Sequence, residues 1–363
     1  SIEKPSYIIT AKNYEQHKAL LSEGSIALFK TFPKTFQMPV YPSRRSASYP
    51  DEVYASNKRN ATQAQLTDGG NGFTGATHGM PFPVPNNAIE MLWNHMVRNT
   101  TSGLALFLNN AIVEPNGAFS ITRFYLETTF GYGAPNISAS NMDNKLVYLM
   151  AKIVAPPRKA GEAFMAHIPL NRVREQAGLW YYTPALKRVK KISEIGYDNN
   201  YDIAEGLMTQ DQVDMFNGAF DRYQFKIVGK REMLIPYNNY ELYSNKRTYR
   251  DIIHAGHVNP ALTRYELHRT WVIEATLKPG QKHIYKKRVF YLDEDSWQIV
   301  LADMYDERGE FWRTSAAFMV NYYAIPLPIT ALQAHYDIQS RRYVMLNMMN
   351  EEKRILQYDW YQP

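Results

Sequence analysis

The sequence predicts an α+β fold in which one large, curved antiparallel sheet lies behind a helical N-terminal segment. Aromatic residues make up 13% of the 363 residues, and the 27 tyrosines favour extended strands over a helical bundle. Beyond residue 103, strand-like runs follow one another with short turns between them, which is typical of antiparallel meanders. No strand–helix–strand alternation appears, so a parallel sheet is not expected.

The N-terminal segment, residues 1–100, is predicted to pack on the sheet of residues 101–363 within a single domain, 1–363. A first helix is expected from Asn13 to Ser22, with Gly24 just beyond its C-terminal end. A second is expected from Pro50 to Ala64, because a proline followed by two acids favours a helix N-terminus.

The clearest helical pattern follows a loop. Residues 68–85 are rich in glycine and proline and are predicted to form that loop. Asn87, with Glu90 three residues on, resembles a capping box, and apolar residues then recur at helical spacing. Trp93 and Met96 lie on the apolar face of this helix.

The sheet is predicted to begin with a hairpin about Pro115-Asn116-Gly117. Further strand-like runs cover 144–157, 163–171, 178–192, 223–234, 240–245, 264–277, 282–292, 297–305 and 310–323. Among them, Thr209–Phe216 is predicted to form a short helix that Thr209 caps and Gly218 ends.

Composition excludes several classes of protein. The chain has no cysteine, so it holds no disulfide, no cysteine-ligated zinc and no thiol nucleophile. The net charge of +6 comes without a long charge run, so neither DNA nor another nucleic acid is an expected partner. No run approaches the ~18 apolar residues of a membrane span. The chain opens at Ser1 without a signal peptide, and we expect a processed sequence.

Three consecutive acids, Asp293, Glu294 and Asp295, suggest either an active site or a turn. Short aspartate and serine side chains favour turns because they bond to nearby backbone groups. The stretch also lacks the glycine and the spacing of a calcium-binding loop. A turn between two strands is therefore predicted, and a metal or paired-carboxylate site is the alternative.

The histidines offer one further candidate for chemistry. His254 and His257 lie three residues apart, with Glu266 and His268 downstream, but no HExxH motif is present. We expect ordinary hydrogen-bonded histidines, with a metal-dependent enzyme centred on His254 and His257 as the alternative. Because no G-x-S-x-G motif occurs either, no catalytic residue and no cofactor are predicted.

Two surface properties point to binding instead. The basic residues Lys187, Arg188, Lys190 and Lys191 are candidates for docking to an acidic partner or to anionic lipid headgroups, although they would also suit a solvated strand edge. A curved sheet loosely covered by helices leaves a cavity that suits an acyl chain. The candidates to line it, which would otherwise fill a core, are Trp93, Met96, Phe107, Phe124, Trp180, Tyr182, Trp271, Phe290, Trp297 and Trp312.

Four long stretches carry a family resemblance. They cover 49–99, 197–242, 256–297 and 302–313, and they include "TDGGNGFTGATHGMPFPVP", "RVFYLDEDSW" and "ADMYDERGEFWR". They resemble a bacterial family of unknown function that is labelled outer-membrane lipoprotein-sorting-like. One departure concerns the basic strand, where lysines stand at 190 and 191 and an arginine-rich ending is expected, which weakens the case for bidentate recognition of an acid.

The resemblance implies a half-barrel similar to the lipoprotein carriers LolA and LolB, with helices on the concave side. It also implies a Gram-negative periplasmic protein that works with an RND-type inner-membrane exporter and an outer-membrane protein. We therefore expect a monomeric, non-enzymatic carrier or chaperone for lipid, a lipoprotein acyl chain or another hydrophobic ligand. A scaffold of an export complex that carries nothing is the remaining alternative.

Overall fold

The computed structural model describes residues 3–98, 102–134, 137–138, 140–192, 196, 198–353 and 357–358. Antiparallel strands dominate these residues. Helices are few and short, and within the described ranges none has the length and apolar character needed to cross a membrane.

Five α-helices are present in the described ranges. They are α1 (Glu23–Thr31), α2 (Asp51–Gln63), α3 (Ala88–Val97), α4 (Tyr240–Tyr243) and α5 (Tyr249–Ile252). The strands are β1 (Tyr7–Ile9), β2 (Met38–Tyr41), β3 (Gln65–Thr67), β4 (Gly72–Thr74), β5 (Gly103–Val113), β6 (Phe119–Phe130), β7 (Lys145–Ala155), β8 (Ala163–Pro169), β9 (Gly178–Thr183), β10 (Arg188–Ile192), β11 (Tyr223–Pro236), β12 (Tyr265–Leu277), β13 (Lys287–Asp293), β14 (Ile299–Tyr305), β15 (Phe311–Tyr322), β16 (Leu327–Asp337), β17 (Arg342–Met348) and β18 (Gln357–Tyr358).

Two antiparallel meanders form one sheet. Strands β5 to β10 pair in sequence order, and so do β11 to β17. The meanders join where β17 pairs with β5, with Tyr343 opposite Val113. Strands β11 and β10 therefore lie at opposite ends of an open sheet, and shifts in register bend several of the pairs. The fold class predicted from the sequence is confirmed.

Both faces of the β11–β17 meander are covered. On one face, Phe29 of α1 packs in a cluster with Val272 and Tyr291. On the other, Trp93 of α3 packs in a cluster with Ile273. Because consecutive strand residues point to opposite sides, we call these two sides the α1 face and the α3 face.

Several predicted elements are confirmed. Helices α2 and α3 lie where the sequence places them, and the Asn87 side chain accepts a hydrogen bond from the backbone N–H of Glu90. The hairpin of β5 and β6 turns at 114–118. The acid-rich turn also lies between two strands, since β13 ends at Asp293 and β14 begins at Ile299.

The first predicted helix is wrong. Residues Tyr14–Leu20 form a 3₁₀ helix, and α1 begins at Glu23, so Gly24 is inside a helix and not beyond the end of one. A Cβ at Gly24 would lie 2.0 Å from Oγ1 of Thr314. The glycine is therefore needed for close packing on the sheet, a tertiary constraint that the local pattern does not reveal.

Two other expectations are corrected. Residues 240–245 were predicted as a strand, but α4 lies there, with Leu242 fully buried. The helix expected at Thr209–Phe216 is shortened to a 3₁₀ turn, Gln210–Gln212, although its capping box is present. The helices of the N-terminal segment cover both sides of the sheet, because α1 and α3 lie on opposite faces.

Helix α1 docks over a buried acid on the sheet. The Asp303 carboxylate accepts hydrogen bonds from the Gly24 backbone N–H at 3.1 Å, from Thr314 Oγ1 at 2.8 Å and from the Tyr291 hydroxyl at 3.0 Å. No basic side chain is among these donors, and burial raises the pKa of Asp303 to about 6.

This raised pKa gives a testable pH dependence of stability. The ordinary pKa is 3.8, so the folded protein holds the proton more tightly than the unfolded chain. The contribution of Asp303 to stability is then greatest below about pH 4 and declines as the pH rises through about 6. Relative to an Asp303→Asn variant, we expect the wild type to lose about 2–3 kcal/mol of unfolding free energy between pH 4 and pH 7.

Urea unfolding at a series of pH values measures this difference. Glu307→Gln, which changes an exposed acid, is the control and should track the wild type at every pH. A constant offset between Asp303→Asn and the wild type across the range would contradict the prediction.

Candidate functional site

The β5–β9 part of the sheet carries an apolar surface on the α3 face. Register fixes which residues share that face, because Leu106 lies opposite Leu126, and Leu126 lies opposite Ala151. Leu149 of β7 lies opposite Ala166 of β8, so the same apolar face continues into β8. The charged residues Arg123, Glu127 and Lys152 of these strands lie on the α1 face instead.

We call this surface the apolar half-face. Its members are buried or half-buried, and none belongs to the three hydrophobic clusters of the described residues. They are Leu104, Leu106, Leu108, Phe124, Leu126, Phe130, Leu149, Ala151, Ile153, Phe164, Ala166 and Leu179. Five members, including Phe124 (4% exposed) and Ala151 (2%), are already shielded from water. Sites for apolar ligands are lined in this way, so the apolar half-face is a candidate binding site.

The opposite side of the same strands is aromatic and polar. The rings of Tyr148 and His167 lie 4.5 Å apart, and His167 lies 4.8 Å from Trp180. The Nζ of Lys191 lies 5.5 Å from the Trp180 ring, a cation–π contact. Tyr182, two residues beyond Trp180 on β9, lies on the same side of the sheet. The α1 face therefore suits an interface with water or with polar groups better than an acyl chain.

A cavity of about 440 Å³ also opens on the α1 face, between Phe107 and the residues before the C-terminus. It is lined by charged groups, because Arg123 binds Glu352 through two contacts of 2.7 Å and lies 4.2 Å from the Phe107 ring. Arg123 holds the pKa of Glu352 below its ordinary value. The paired charges make the cavity a poor site for an apolar ligand.

The structure separates the ten candidate lining residues. Phe124 lies on the apolar half-face, and Phe107, Trp180 and Tyr182 lie on the α1 face. The other six belong to the packed cluster beneath α3 or pack against its edge: Trp93, Met96, Trp271, Phe290, Trp297 and Trp312. Aromatic character alone did not distinguish residues of the packed cluster from residues of the apolar half-face or of the α1 face.

The basic candidates lie together at one corner of the sheet. Strand β10 carries Arg188, Lys190 and Lys191, and Lys187 precedes it in the left-handed conformation at φ 47°. All four are exposed, and so are their neighbours Leu186 (69%) and Val189 (65%).

A second basic turn joins this corner. A Cβ on Gly161 would lie 3.1 Å from the Pro184 ring, so the turn after β7 touches the turn after β9. The exposed Arg158 belongs to that first turn. We call Arg158 and residues 186–191 the basic corner.

The histidine pair has structural roles in this geometry. His257 is fully buried, and its ring nitrogens lie 2.9 Å from the Val258 carbonyl and 2.9 Å from Thr35 Oγ1. Burial lowers its pKa. The ring of His254 lies 6.5 Å from that of His257. Because both nitrogens of His257 are hydrogen-bonded, the arrangement offers no support for the predicted alternative of a metal enzyme at this pair.

Sequence reasoning missed a buried charge cluster beneath the α3 face. Arg288 binds Asp211 at 2.6 Å, and His283 lies 3.2 Å from the same carboxylate. Burial opposes ionisation of Asp211, but Arg288 and His283 outweigh it and keep its pKa below the ordinary value. The cluster ties the 3₁₀ turn at Gln210 to β13. Its members are far apart in sequence, so no local signal announces it.

The family described as Protein of unknown function (DUF1329) matches residues 8–363. An uncharacterized protein of Pseudomonas aeruginosa, PA3922, is 41% identical over 358 residues, which cover 99% of this chain and 79% of that protein.

Two solved structures share the fold. One, provisionally described as an outer membrane lipoprotein-sorting protein domain from Vibrio parahaemolyticus, covers 76% of this chain and 93% of its own, with 17% identity and a TM-score of 0.50. The other, a DUF1329 family protein from Desulfovibrio piger, covers 76% of this chain and 92% of its own, with 12% identity and a TM-score of 0.51.

Proposed function

The chain belongs to the DUF1329 family of proteins of unknown function, and we propose that it is a carrier that binds a hydrophobic ligand on the apolar half-face. The ligand class is a lipid, the acyl chain of a lipoprotein or a similar apolar molecule. The observation that carries this proposal is the continuous apolar surface of β5–β9, which lies outside the packed clusters of the protein.

The energetics favour such a ligand. Each acyl CH₂ group removed from water contributes about 0.8 kcal/mol, so a long chain binds without any polar contact. The charges of the same strands, such as Arg123 and Glu127, point to the opposite face and impose no desolvation cost on the ligand. Sheet alternation therefore separates an apolar binding side from a polar side.

The proposed setting is the periplasm of a Gram-negative bacterium, between the inner and outer membranes. The likeness to a lipoprotein-sorting domain supports this setting at the level of the fold. An RND-type exporter of the inner membrane and an outer-membrane protein are the proposed partners. A carrier role is preferred to the enzyme centred on His254 and His257, because both ring nitrogens of His257 are already hydrogen-bonded.

Ligand binding can be tested with two variants of adjacent residues. Leu149 lies on the apolar half-face, and Met150 is the next residue on the same strand, facing the other side. Both are half-buried. A Leu149→Glu variant places a carboxylate where the acyl chain binds and should weaken binding about tenfold or more, whereas Met150→Glu should bind like the wild type.

The measurement is titration of delipidated protein with a fluorescent fatty acid, supported by native mass spectrometry of the purified protein for bound lipid. Thermal unfolding of both variants checks that each is folded. Absence of saturable binding to the wild type would reject the carrier and favour the scaffold alternative. Equal losses in the two variants would reject the apolar half-face as the site.

We further propose that the basic corner docks on an anionic membrane surface. Five basic side chains lie at the same corner of the sheet as exposed Leu186 and Val189, so the corner combines charge for lipid headgroups with apolar side chains that can enter the interface. Each basic residue near an anionic surface contributes about 1 kcal/mol. Docking would bring the apolar half-face, on the same meander, close to its source of ligand.

Vesicle co-sedimentation tests this docking. The wild type should bind vesicles that contain phosphatidylglycerol and should be released by high salt. Replacing Lys187, Arg188, Lys190 and Lys191 by glutamine should weaken binding about tenfold or more. The control replaces four exposed lysines elsewhere, Lys12, Lys18, Lys30 and Lys34, and removes the same charge. Equal loss in the control would point to net charge alone and contradict a docking corner.

A further inference from the structure

The acid-rich turn between β13 and β14 meets a histidine from the neighbouring strand. Thr270 of β12 lies opposite Asp293, so His268, two residues along β12, lies on the same face as Asp293. Side-chain donor atoms of His268, Asp293 and Asp295 lie within 4.8 Å of one another. This spacing approaches the separation of ligand atoms around a single cation.

Asp293 has one carboxylate oxygen without a partner. The residue is 0% exposed. Its Oδ2 accepts hydrogen bonds from the Ser296 backbone N–H at 2.9 Å, the Ser296 hydroxyl at 2.6 Å and the Tyr237 hydroxyl at 3.1 Å. Its Oδ1 is buried and makes no hydrogen bond. A buried carboxylate oxygen left in this state is costly unless a proton or a metal cation binds it.

His268 is held as metal-binding histidines are held. Its Nε2 lies 3.0 Å from the buried Glu266 carboxylate, and its ring stacks on Tyr237 with 4.0 Å between centroids. Glu266 in turn accepts hydrogen bonds from Arg264 Nε at 2.6 Å and from Asn238 at 2.9 Å. A carboxylate that holds one ring nitrogen fixes the tautomer and presents the other nitrogen, Nδ1, to a ligand.

Arg45 closes the solvent side of the cluster. Its guanidinium binds Asp295 through two contacts, with Nε 2.8 Å from Oδ2, and it lies 3.7 Å from Glu294. The Arg45 side chain is 63% exposed and Asp295 lies at the surface of the cluster. Arg45 can therefore swing into solvent and leave an entry path to Asp295 and, behind it, to Asp293.

We propose that His268, Asp293 and Asp295 bind a divalent transition-metal cation, Zn²⁺ or Mn²⁺. One imidazole nitrogen and two carboxylate oxygens form a donor set that suits these ions and suits Ca²⁺ or Mg²⁺ poorly. Water completes the coordination, and Arg45 moves from Asp295 when the cation binds. The site is independent of the proposed carrier function, because it lies on the α1 face of β12 and β13 while the apolar half-face lies on the α3 face of β5–β9.

The test uses the full chain, purified without an affinity tag and treated with a chelator. Titration calorimetry with ZnCl₂ and MnCl₂ should show one saturable equivalent, and Co²⁺ should give the d–d absorption of a site with nitrogen and oxygen ligands. CaCl₂ and MgCl₂ should bind at least about tenfold more weakly. Absence of saturable Zn²⁺ and Mn²⁺ binding to the folded wild type would overturn the proposal.

Three variants locate the site. Asp293→Asn and Asp295→Asn should each weaken binding about tenfold or more, as expected for loss of a ligand. Asp295 is near the surface, so its variant stays informative if the buried Asp293→Asn variant fails to fold. Arg45→Gln should strengthen binding about threefold or more, because a competing cation is removed. General destabilisation of the protein could explain weaker binding in the two aspartate variants, but it could not explain stronger binding in Arg45→Gln.

His254→Gln is the control, since it removes a histidine that lies outside the proposed site. It should bind the metal like the wild type. Binding that is unchanged in Asp293→Asn and Asp295→Asn but lost in His254→Gln would assign the metal elsewhere and overturn the proposal. Weaker binding in Arg45→Gln would do the same, because it would make the guanidinium a supporting group and not a competitor.

Discussion

The pairing of β17 with β5 is the constraint on which the architecture depends. These strands come from opposite parts of the chain, and their hydrogen bonds join two meanders that would otherwise be separate sheets. Tyr343 and Met345 on one side of β17, with Val344 and Leu346 on the other, are almost fully buried. The junction is therefore packed from both faces, and the long connection between β10 and β11 supplies part of that packing through Met208.

This junction divides the sheet into two halves with different roles. The β11–β17 half is closed on both faces and holds buried charge pairs, such as Arg288 with Asp211 and Arg313 with Asp337. A buried pair is costly to form and more costly to break, so it favours one fixed arrangement. In the β5–β10 half, the clusters take in residues such as Val113, Leu146 and Ile168, but the members of the apolar half-face lie outside them. A rigid half joined to a half whose apolar face lies outside the packed clusters suits the binding of a flexible hydrophobic molecule.

The sequence was sufficient for most of the sheet because its strands are separated by strong turn signals, such as Pro115-Asn116-Gly117 and Asp306 to Gly309. It was insufficient for α1, because Gly24 is typical of a helix end and is needed here for contact with Thr314. Strands β16 and β17 were not predicted at all. The sequence predicted an apolar binding surface but not which residues form it. Trp93 and Phe290 are aromatic residues of the type that line ligand cavities, but in the structure they are packed against elements distant in sequence.

The acid-rich turn shows why a turn and a site are not exclusive alternatives. Asp293 stabilises the turn through Oδ2, which accepts from Ser296, and that interaction alone would account for an aspartate at the end of β13. It does not account for a buried Oδ1 without a partner beside His268, nor for the Glu266 carboxylate that holds the other side of that imidazole. Residues 266 and 268 come from β12, Asp293 ends β13 and Asp295 lies in the turn after it, so only the register of the two strands brings these residues together. A local sequence motif identifies the turn, whereas the grouping of metal donors is a property of strand pairing.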